Sequence, residues 1–399
     1  MASVRKRSWI HKATGEKRTA WVVDYLDSGG ERRNKQFAKK KDADDFKLTA
    51  GHEVRLGIHT ADSQSITIKK AGDIWLDRAR RDGLEPLTVD DYERHLRLHI
   101  NPLIGAKKLS QFTKPQAEAF RDTLVDTRSK AMASKVLKSL TGLIAEAERR
   151  GLVAKNVARG VTVKRSKREK AKVEIPKLDE LRALVAAALA SDRPMDAPLV
   201  TLTLFAGLRA SELRGLRWCD LDLKHGTVTV NQRADRLNTI GAPKSEAGQR
   251  TVPLASIVVV ELKKWKLKSA PKADTALVFP SRKGTPFEYR NLINRHFDPV
   301  QIAAGVTAPK LNRKGKPVRD EEGQPILTGK YGLHALRHAA ASFWIAENID
   351  LKRLQVWIGH ADIATTLDTY GHLIEARNTD TSVISAVEQA ILGGSTKPV

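Results

Sequence analysis

The sequence predicts a mainly α-helical, multidomain chain. It opens with a small unit of three strands and a helix, continues through an all-helical stretch, and ends in a larger, mostly helical part holding a small antiparallel sheet. Three observations carry this expectation. At 399 residues the chain is longer than one small core organises. Apolar residues recur at three- and four-residue steps over most of its length. Short β-type runs bounded by Gly-containing turns fall in only two places, near the N-terminus and near residues 227–255.

The first 57 or so residues hold the runs "SVRKRSWI", "TAWVVDYL" and "ERRNKQFA", separated by the turn-forming "ATGEK" and "DSGG". A helical stretch, "KKDADDFKLTAGHEVRLG", follows and stops at Gly57. Trp9, Trp21 and Phe37 are expected to supply much of this unit's core. From Ser65 to about Val163 the pattern is helical. Ile68, Ala71, Ile74, Trp75 and Ala79 share one face; "NPLIG" is a Pro and Gly stop; Thr113 and Pro115 read as a cap and first turn; and a long helix spans about 130–150. Then "KRSKREKAK", residues 164–172, sets six basic residues around a single acid. A linker of that kind, lying between domains, suits a phosphate backbone.

From Ile175 onward the pattern is helical again, interrupted by "TVTVNQRADRLNTIGAPKSEAGQRTVPL", whose alternating Thr and Val residues suggest a small antiparallel sheet. Residues 310–329 form a polar insert with an internal echo, "RKGKPV" then "EEGQPI", as two tight turns of a surface hairpin would give. No function is assigned to it.

Composition narrows the partners. Lysine and arginine number 70 against 46 acids, a net charge of +24 with a pI near 10.1. An excess of that size self-repels and calls for a polyanion, with nucleic acid first. No apolar run approaches the ~20 residues of a spanning helix, and "MASVRKRSWIHK" lacks the apolar stretch of a signal peptide, so a cytoplasmic protein with no membrane association is expected. One cysteine, Cys219, allows neither a disulfide framework nor a zinc cluster within one chain.

Three stretches carry possible chemistry. In "TLTLFAGLRASELRGLRWCDLDL", Leu202, Phe205, Leu208, Leu213 and Leu216 give an apolar helical pattern, with Arg209 and Glu212 three apart on one face. A lone pair of that kind is most often a surface ion pair. The apolar setting instead suggests a partly buried arginine whose fork one carboxylate orients toward an anion. "YGLHALRHAAASFWIAEN" places His334 and Arg337 three apart, and "IGHADIATTLDTYGHL" places Tyr370 ten residues after His360. Singly these are weak signals. Together, two arginines, two histidines and a tyrosine suit a phosphorane-like transition state attacked by a phenol. No acidic cluster at metal-ligand spacing and no G-x-x-x-x-G-K-[ST] loop occurs, so neither a two-metal nuclease nor an NTPase is favoured.

These three boxes resemble those of the tyrosine recombinases, of the phage and genomic-island integrase kind. By the resemblance Arg209 is the first catalytic arginine and Glu212 its acidic support; His334 and Arg337 carry over from the second box; His360 is the second histidine and Tyr370 the nucleophile. The family's hairpin lysine matches Lys244 in "GAPKSEAGQRTVPL". The resemblance implies an arm-type DNA-binding domain at 1–60, a helical core-binding domain at 65–163, a basic linker at 164–173 with Lys164, Arg165, Lys167 and Arg168 on DNA, and a catalytic domain at 174–399 ending in a helix. Val157 stands where the family usually has proline after "RRGLVAKN".

The implied function is site-specific integration and excision of a mobile element through a 3′-phosphotyrosine, without metal, ATP or another cofactor. Tyr370 attacks, His334 takes or relays its proton, Lys244 protonates the leaving 5′-oxygen, and Arg209, Arg337 and His360 hold the phosphate. The implied partners are double-stranded core and arm attachment sites, a homotetramer on DNA, a host DNA-bending protein and an excision factor, in a nucleoid-associated setting of a bacterial or phage-infected cell. The apolar stripe Val383, Ile384, Val387, Ile391 and Leu392 suits a tail helix that packs on its own domain or, as the resemblance implies, docks on a neighbouring copy. A type IB topoisomerase and a catalytically inactive DNA-binding relative are the alternatives.

Overall fold

A computed structural model describes residues 2–375 except 12, 28, 57–58, 165–173 and 313–314; for 372–375 it describes the backbone alone. The chain divides into two compact units, Met1–Lys170 and Ala171–Val399. The tail stripe and Arg165, Lys167 and Arg168 lie outside the described residues. No helix among those described is long and apolar enough to cross a membrane.

The first unit begins with an antiparallel sheet of β1 (Ser3–Ile10), β2 (Lys17–Leu26) and β3 (Arg32–Phe37), backed by α1 (Lys40–Arg55). The pairings Val4↔Val23, Lys6↔Trp21 and Trp21↔Phe37 fix which side chains share a face. Val23, Tyr25 and Ala43 are buried there, with Val4, Trp21, Phe37 and Phe46 packed around them. Trp9 is not in this core. It pairs with Arg18, and strand alternation turns both to the opposite face. The expectation for Trp21 and Phe37 holds, while Tyr25 and Phe46 take the place given to Trp9.

The helical part of this unit runs α2 (Ile68–Arg81), α3 (Pro86–His95), a π-turn into α4 (Asn101–Ile104), α5 (Lys114–Thr127) and α6 (Lys130–Arg149). Thr113 and Gln116 form the capping box that starts α5, with Pro115 in its first turn. The Ser129 hydroxyl accepts from Met132 N–H to start α6. Ile68, Ala71, Leu76 and Ala79 of α2 pack against Val136, Leu140, Leu143 and Ala147 of α6 in one apolar core.

The second unit holds α7 (Leu178–Leu189), α8 (Asp196–Ala206) and α9 (Ala210–Gly215), then β4 (Leu221–Asp222) and β5 (Thr227–Val230). β6 (Arg233–Ala234) and β7 (Ile240–Gly241) form a separate pair, and β8 (Arg250–Pro253) completes the sheet β4-β5-β8. There follow α10 (Ser256–Ser269), α11 (Tyr289–Leu292), α12 (Asp298–Ala303), β9 (Thr307–Pro309), β10 (Leu327–Gly329), α13 (Leu333–Ala346), α14 (Leu351–Ile358) and α15 (Ile363–Glu375). α8 is the spine of this unit, buried at every position but Phe205.

The helical pattern read through residues 202–216 is in fact two helices. Gly207 sits in the left-handed region at φ 60° and ends α8. A Cβ there would also stand 3.0 Å from the Trp344 ring. The period survives across the break, so Leu202, Leu208, Leu213 and Leu216 are buried, but Phe205 is exposed.

Residues 310–329 fold as the echo suggests. Lys310, Val318 and Ile326 bond to one another through their backbones, and the two excursions close at Asn312–Lys316 and Asp320–Gln324.

Candidate active site

The break between α8 and α9 makes the site. Arg209 is the N-cap residue of α9; its backbone N–H donates to Glu212 Oε2 at 2.9 Å, and its Nη1 donates to Glu212 Oε1 at 2.7 Å. Glu212 is thus held at a helix N-terminus, where a carboxylate is favoured. A second arginine meets it. Arg250 faces inward at the first position of β8 and donates to both Glu212 oxygens, at 3.0 and 2.9 Å. Its side chain is 1% exposed and that of Glu212 3%, so the pair is dry. Burial alone would raise the Glu212 carboxyl. The hydrogen bonds and charge of Arg250, then the charge of Arg209, overcome this and hold it at about 2.

The end of α14 fixes the arginines. The last carbonyls of a helix have no partner within it. Here Trp357 O accepts from Arg250 Nε at 2.7 Å, Ile358 O from Arg337, and Gly359 O from Arg209 Nη2 at 2.7 Å. Arg337, on α13, also donates to Gly207 O at 2.6 Å, tying in the end of α8. Gly359 allows this closeness. It lies at φ 68°, and a Cβ would stand 2.8 Å from an Arg250 nitrogen. Arg337 is buried; desolvation first, then the Arg209 charge, pushes it down to about 9, so it stays cationic at neutral pH.

Around these cations stand histidines and the tyrosine. His360 follows the α14 cap, and its Nδ1 lies 3.0 Å from Thr366 Oγ1. Desolvation, then Arg337 and Arg209, push His360 down to about 4. His334 is exposed on α13; partial desolvation and the Arg337 and Arg209 charges lower it. Tyr370, on α15, is 1% exposed within the cluster of Ala341, Ile345, Leu354 and Ile358. Burial pushes its phenol up to about 12, against the opposing pull of Arg337 and Arg209.

The hydrogen-bond partner of the Tyr370 hydroxyl is His338, at 2.7 Å from Nδ1, and not His334. His334 stands one ring further out, edge-on to His338 with centroids 4.5 Å apart. Sequence reasoning missed His338 and Arg250. His338 lies four residues after His334, hence on the same helix face, and Arg250 alternates with inward-facing Val252.

Arg209, Glu212, Arg337, His360 and Tyr370 are therefore brought together, with His334 at the rim. Lys244 stands on the exposed loop between β7 and β8. Lys164 closes the first unit's described residues, ahead of 165–173. Chemically, the Arg209 and Arg250 guanidinium groups converge on one carboxylate, while Arg337 is held by the carbonyls of Gly207 and Ile358. The pocket keeps an excess of positive charge and fixed donors for an anion, beside a phenol and neutral imidazoles.

Comparison with known proteins agrees with this chemistry. The model of the phage integrase family matches residues 177–377. A tyrosine recombinase XerC-like protein of Caldanaerobacter subterraneus is 26% identical over 379 residues, covering 89% of this chain and 92% of the relative. Tyrosine recombinase XerC of Xanthomonas axonopodis is 30% identical over 257 residues, 59% of this chain and 72% of the relative. Among solved structures, the Tn1549 transposon integrase in complex with transposon right end DNA superposes with a TM-score of 0.62 at 20% identity, covering 82% of this chain and all of that one. A lambda integrase tetramer bound to a Holliday junction gives 0.55 at 17% identity, covering 89% and 95%. The structural likenesses establish the fold; the family match over half the chain establishes kinship, and this chain belongs to the phage integrase family of tyrosine recombinases, site-specific enzymes that cut and rejoin DNA.

Proposed function

We propose that this recombinase is an integrase that inserts and excises a mobile element, with Tyr370 as the nucleophile that forms a 3′-phosphotyrosine. The observation that carries the assignment is the fixing of Arg209 and Arg337 by the end of α14, with the Glu212 carboxylate held between Arg209 and Arg250, beside the one buried tyrosine of this cluster. Arg209 and Arg337 hold the non-bridging oxygens of the scissile phosphate and neutralise the charge that grows on them. His360, its Nδ1 engaged with Thr366, donates from Nε2. His334 lies at the open side of the site, where it hydrogen-bonds the phosphate or relays protons. Lys244, on its exposed loop, protonates the departing 5′-oxygen. The phosphotyrosine conserves the bond for attack by another strand's 5′-hydroxyl, so exchange needs neither ATP nor a metal.

Two surfaces support the DNA and self-association partners, and the accessory proteins are carried over from the family resemblance. The open face of the N-terminal sheet sets Arg5, Arg7, Arg18 and Arg32 on adjacent strands, which supports binding at arm sites. The helical part of the first unit and the 164–173 linker take the core site. A tetramer is supported by an apolar groove of about 530 Å³ on the second unit, walled by Leu178, Val185, Leu189, Phe205 and Phe343. Its lining matches the stripe in the tail, which docks there from a neighbouring copy. A DNA-bending protein and an excision factor complete the assembly.

The test is a nicked duplex carrying the element's attachment core, mixed with purified protein in EDTA without ATP. A covalent adduct mapping to Tyr370 is expected, with Tyr370→Phe binding DNA normally and forming none. An adduct from Tyr370→Phe would falsify the nucleophile. Relaxation of a plasmid lacking the site would move the assignment to a topoisomerase-like activity.

A further inference from the structure

We propose that His338 is a catalytic residue of this recombinase: its Nδ1 takes the proton of the Tyr370 hydroxyl as that oxygen attacks the phosphate, and returns it when the strand is rejoined. The inference rests on Tyr370 being the nucleophile and adds the group that activates it.

The geometry begins with the hydroxyl. Tyr370 is 1% exposed, so its O–H has no water to turn to and needs a protein partner. That partner is His338 Nδ1, at 2.7 Å. Tyr370 is protonated at neutral pH, so it donates, and a nitrogen that accepts must be bare. The neutral ring then carries its proton on Nε2. Its surroundings keep it that way: partial burial first, then His334, Arg337 and His360, push His338 down to about 4. A charged imidazolium could not accept, so the cationic site enforces the form the reaction needs.

The position is also held. His338 is on α13 directly after Arg337, whose guanidinium is pinned to the ends of α8 and α14. His334, one turn earlier, packs its ring edge-on against His338. The base is thus fixed between a phosphate-binding arginine and a second imidazole.

The step balances. The Tyr370 Oη–P bond forms and the P–O5′ bond breaks; the phenolic proton passes to His338 Nδ1, and the 5′-oxygen takes a proton from Lys244. As the P–O bond forms the phenol becomes far more acidic, while the arriving phosphate anion raises the basicity of His338. The two affinities converge only in the transition state. Religation runs the same bonds in reverse, with His338 as the acid for the leaving phenol.

The experiment uses the full-length protein and single-turnover cleavage of the nicked attachment duplex. Three variants are compared: His338→Ala, His338→Asn, whose side-chain oxygen can accept the same hydrogen bond without taking a proton, and Tyr370→Phe. DNA binding is measured for each. Both His338 variants are expected to bind as wild type and to cleave ~100-fold or more slowly, the scale of a lost general base. Replacing Tyr370 by a fluorinated tyrosine of lower phenol pKa should shrink that deficit, because a more acidic nucleophile needs less help. A merely structural histidine would not respond in this way. Wild-type cleavage by His338→Asn would reduce His338 to a positioning residue, and faster cleavage by either variant would make the contact a restraint; each overturns the proposal. An adduct from Tyr370→Phe would instead overturn the nucleophile assignment itself, which keeps the two failures apart.

Discussion

Arg209 illustrates how one side chain is specified here. Its fork divides between Glu212 and the Gly359 carbonyl, so its plane is set before any phosphate arrives. A lysine offers one ammonium and cannot serve both partners and an oxyanion in a fixed plane. Arg209→Lys should therefore cut the cleavage rate ~100-fold or more with little change in DNA affinity, a loss typical of removing one oxyanion donor; wild-type single-turnover rates would count against the role. The histidines make a second prediction. His338 and His360 sit at about 4 in the folded protein against 6.5 ordinarily. Below pH 6.5 the unfolded chain takes up protons that the folded site refuses. The stability they contribute is complete above 6.5 and is lost as pH falls toward 4. Glu212, at about 2 against 4.5, extends the loss from 4.5 downward. Urea midpoints should fall between pH 7.5 and 5, and the double variant His338→Asn with His360→Asn should flatten that fall.

At the level of elements, the buried Arg250–Glu212 pair fastens β8 to α9, and Arg250 Nε fastens β8 to the end of α14. Arg250→Met leaves a carboxylate dry and half-partnered, which costs about 3–5 kcal/mol. The loss should appear as a lower denaturation midpoint of the second unit, whereas an exposed control such as Lys268→Met should change little. Arg250 also marks the limit of what the sequence discloses. The start of α5 and the N-terminal sheet were legible because short-range rules write them, Thr113 with Pro115 and the strand-like run "TAWVVDYL", whereas the boxes were legible through the family resemblance. Helix periodicity could not reveal the break at Gly207, because Leu202 and Leu213 keep their phase across it. Nor could it reveal Trp9 on the wrong face, which only the strand register decides. Arg250 and His338 were hidden for a further reason. Their partners, Glu212 and Tyr370, lie 38 and 32 residues away, and nothing local in either sequence stretch records such a contact.

For the whole molecule, charge and assembly take over. Deleting the residues after Arg377 should weaken tetramer formation on DNA more than binding of a single site, and Phe343→Glu in the apolar groove should reproduce the effect in the full chain. Equal losses in both measurements would mean that the tail packs on its own copy. The site is likewise a property of the whole second unit, since its parts arrive from both sides of the exposed excursion at 310–329. Arg209, Glu212 and Arg250 precede it; Arg337, His338, His360 and Tyr370 follow it. Its two ends are already paired as neighbouring strands, Thr307–Pro309 with Leu327–Gly329. Cutting the chain at Gly323, an exposed turn with open space around it, would leave each fragment inert. Expressed together, the halves should reunite through that strand pair and recover recombination, turning the enzyme into a two-key device that acts only in cells making both pieces.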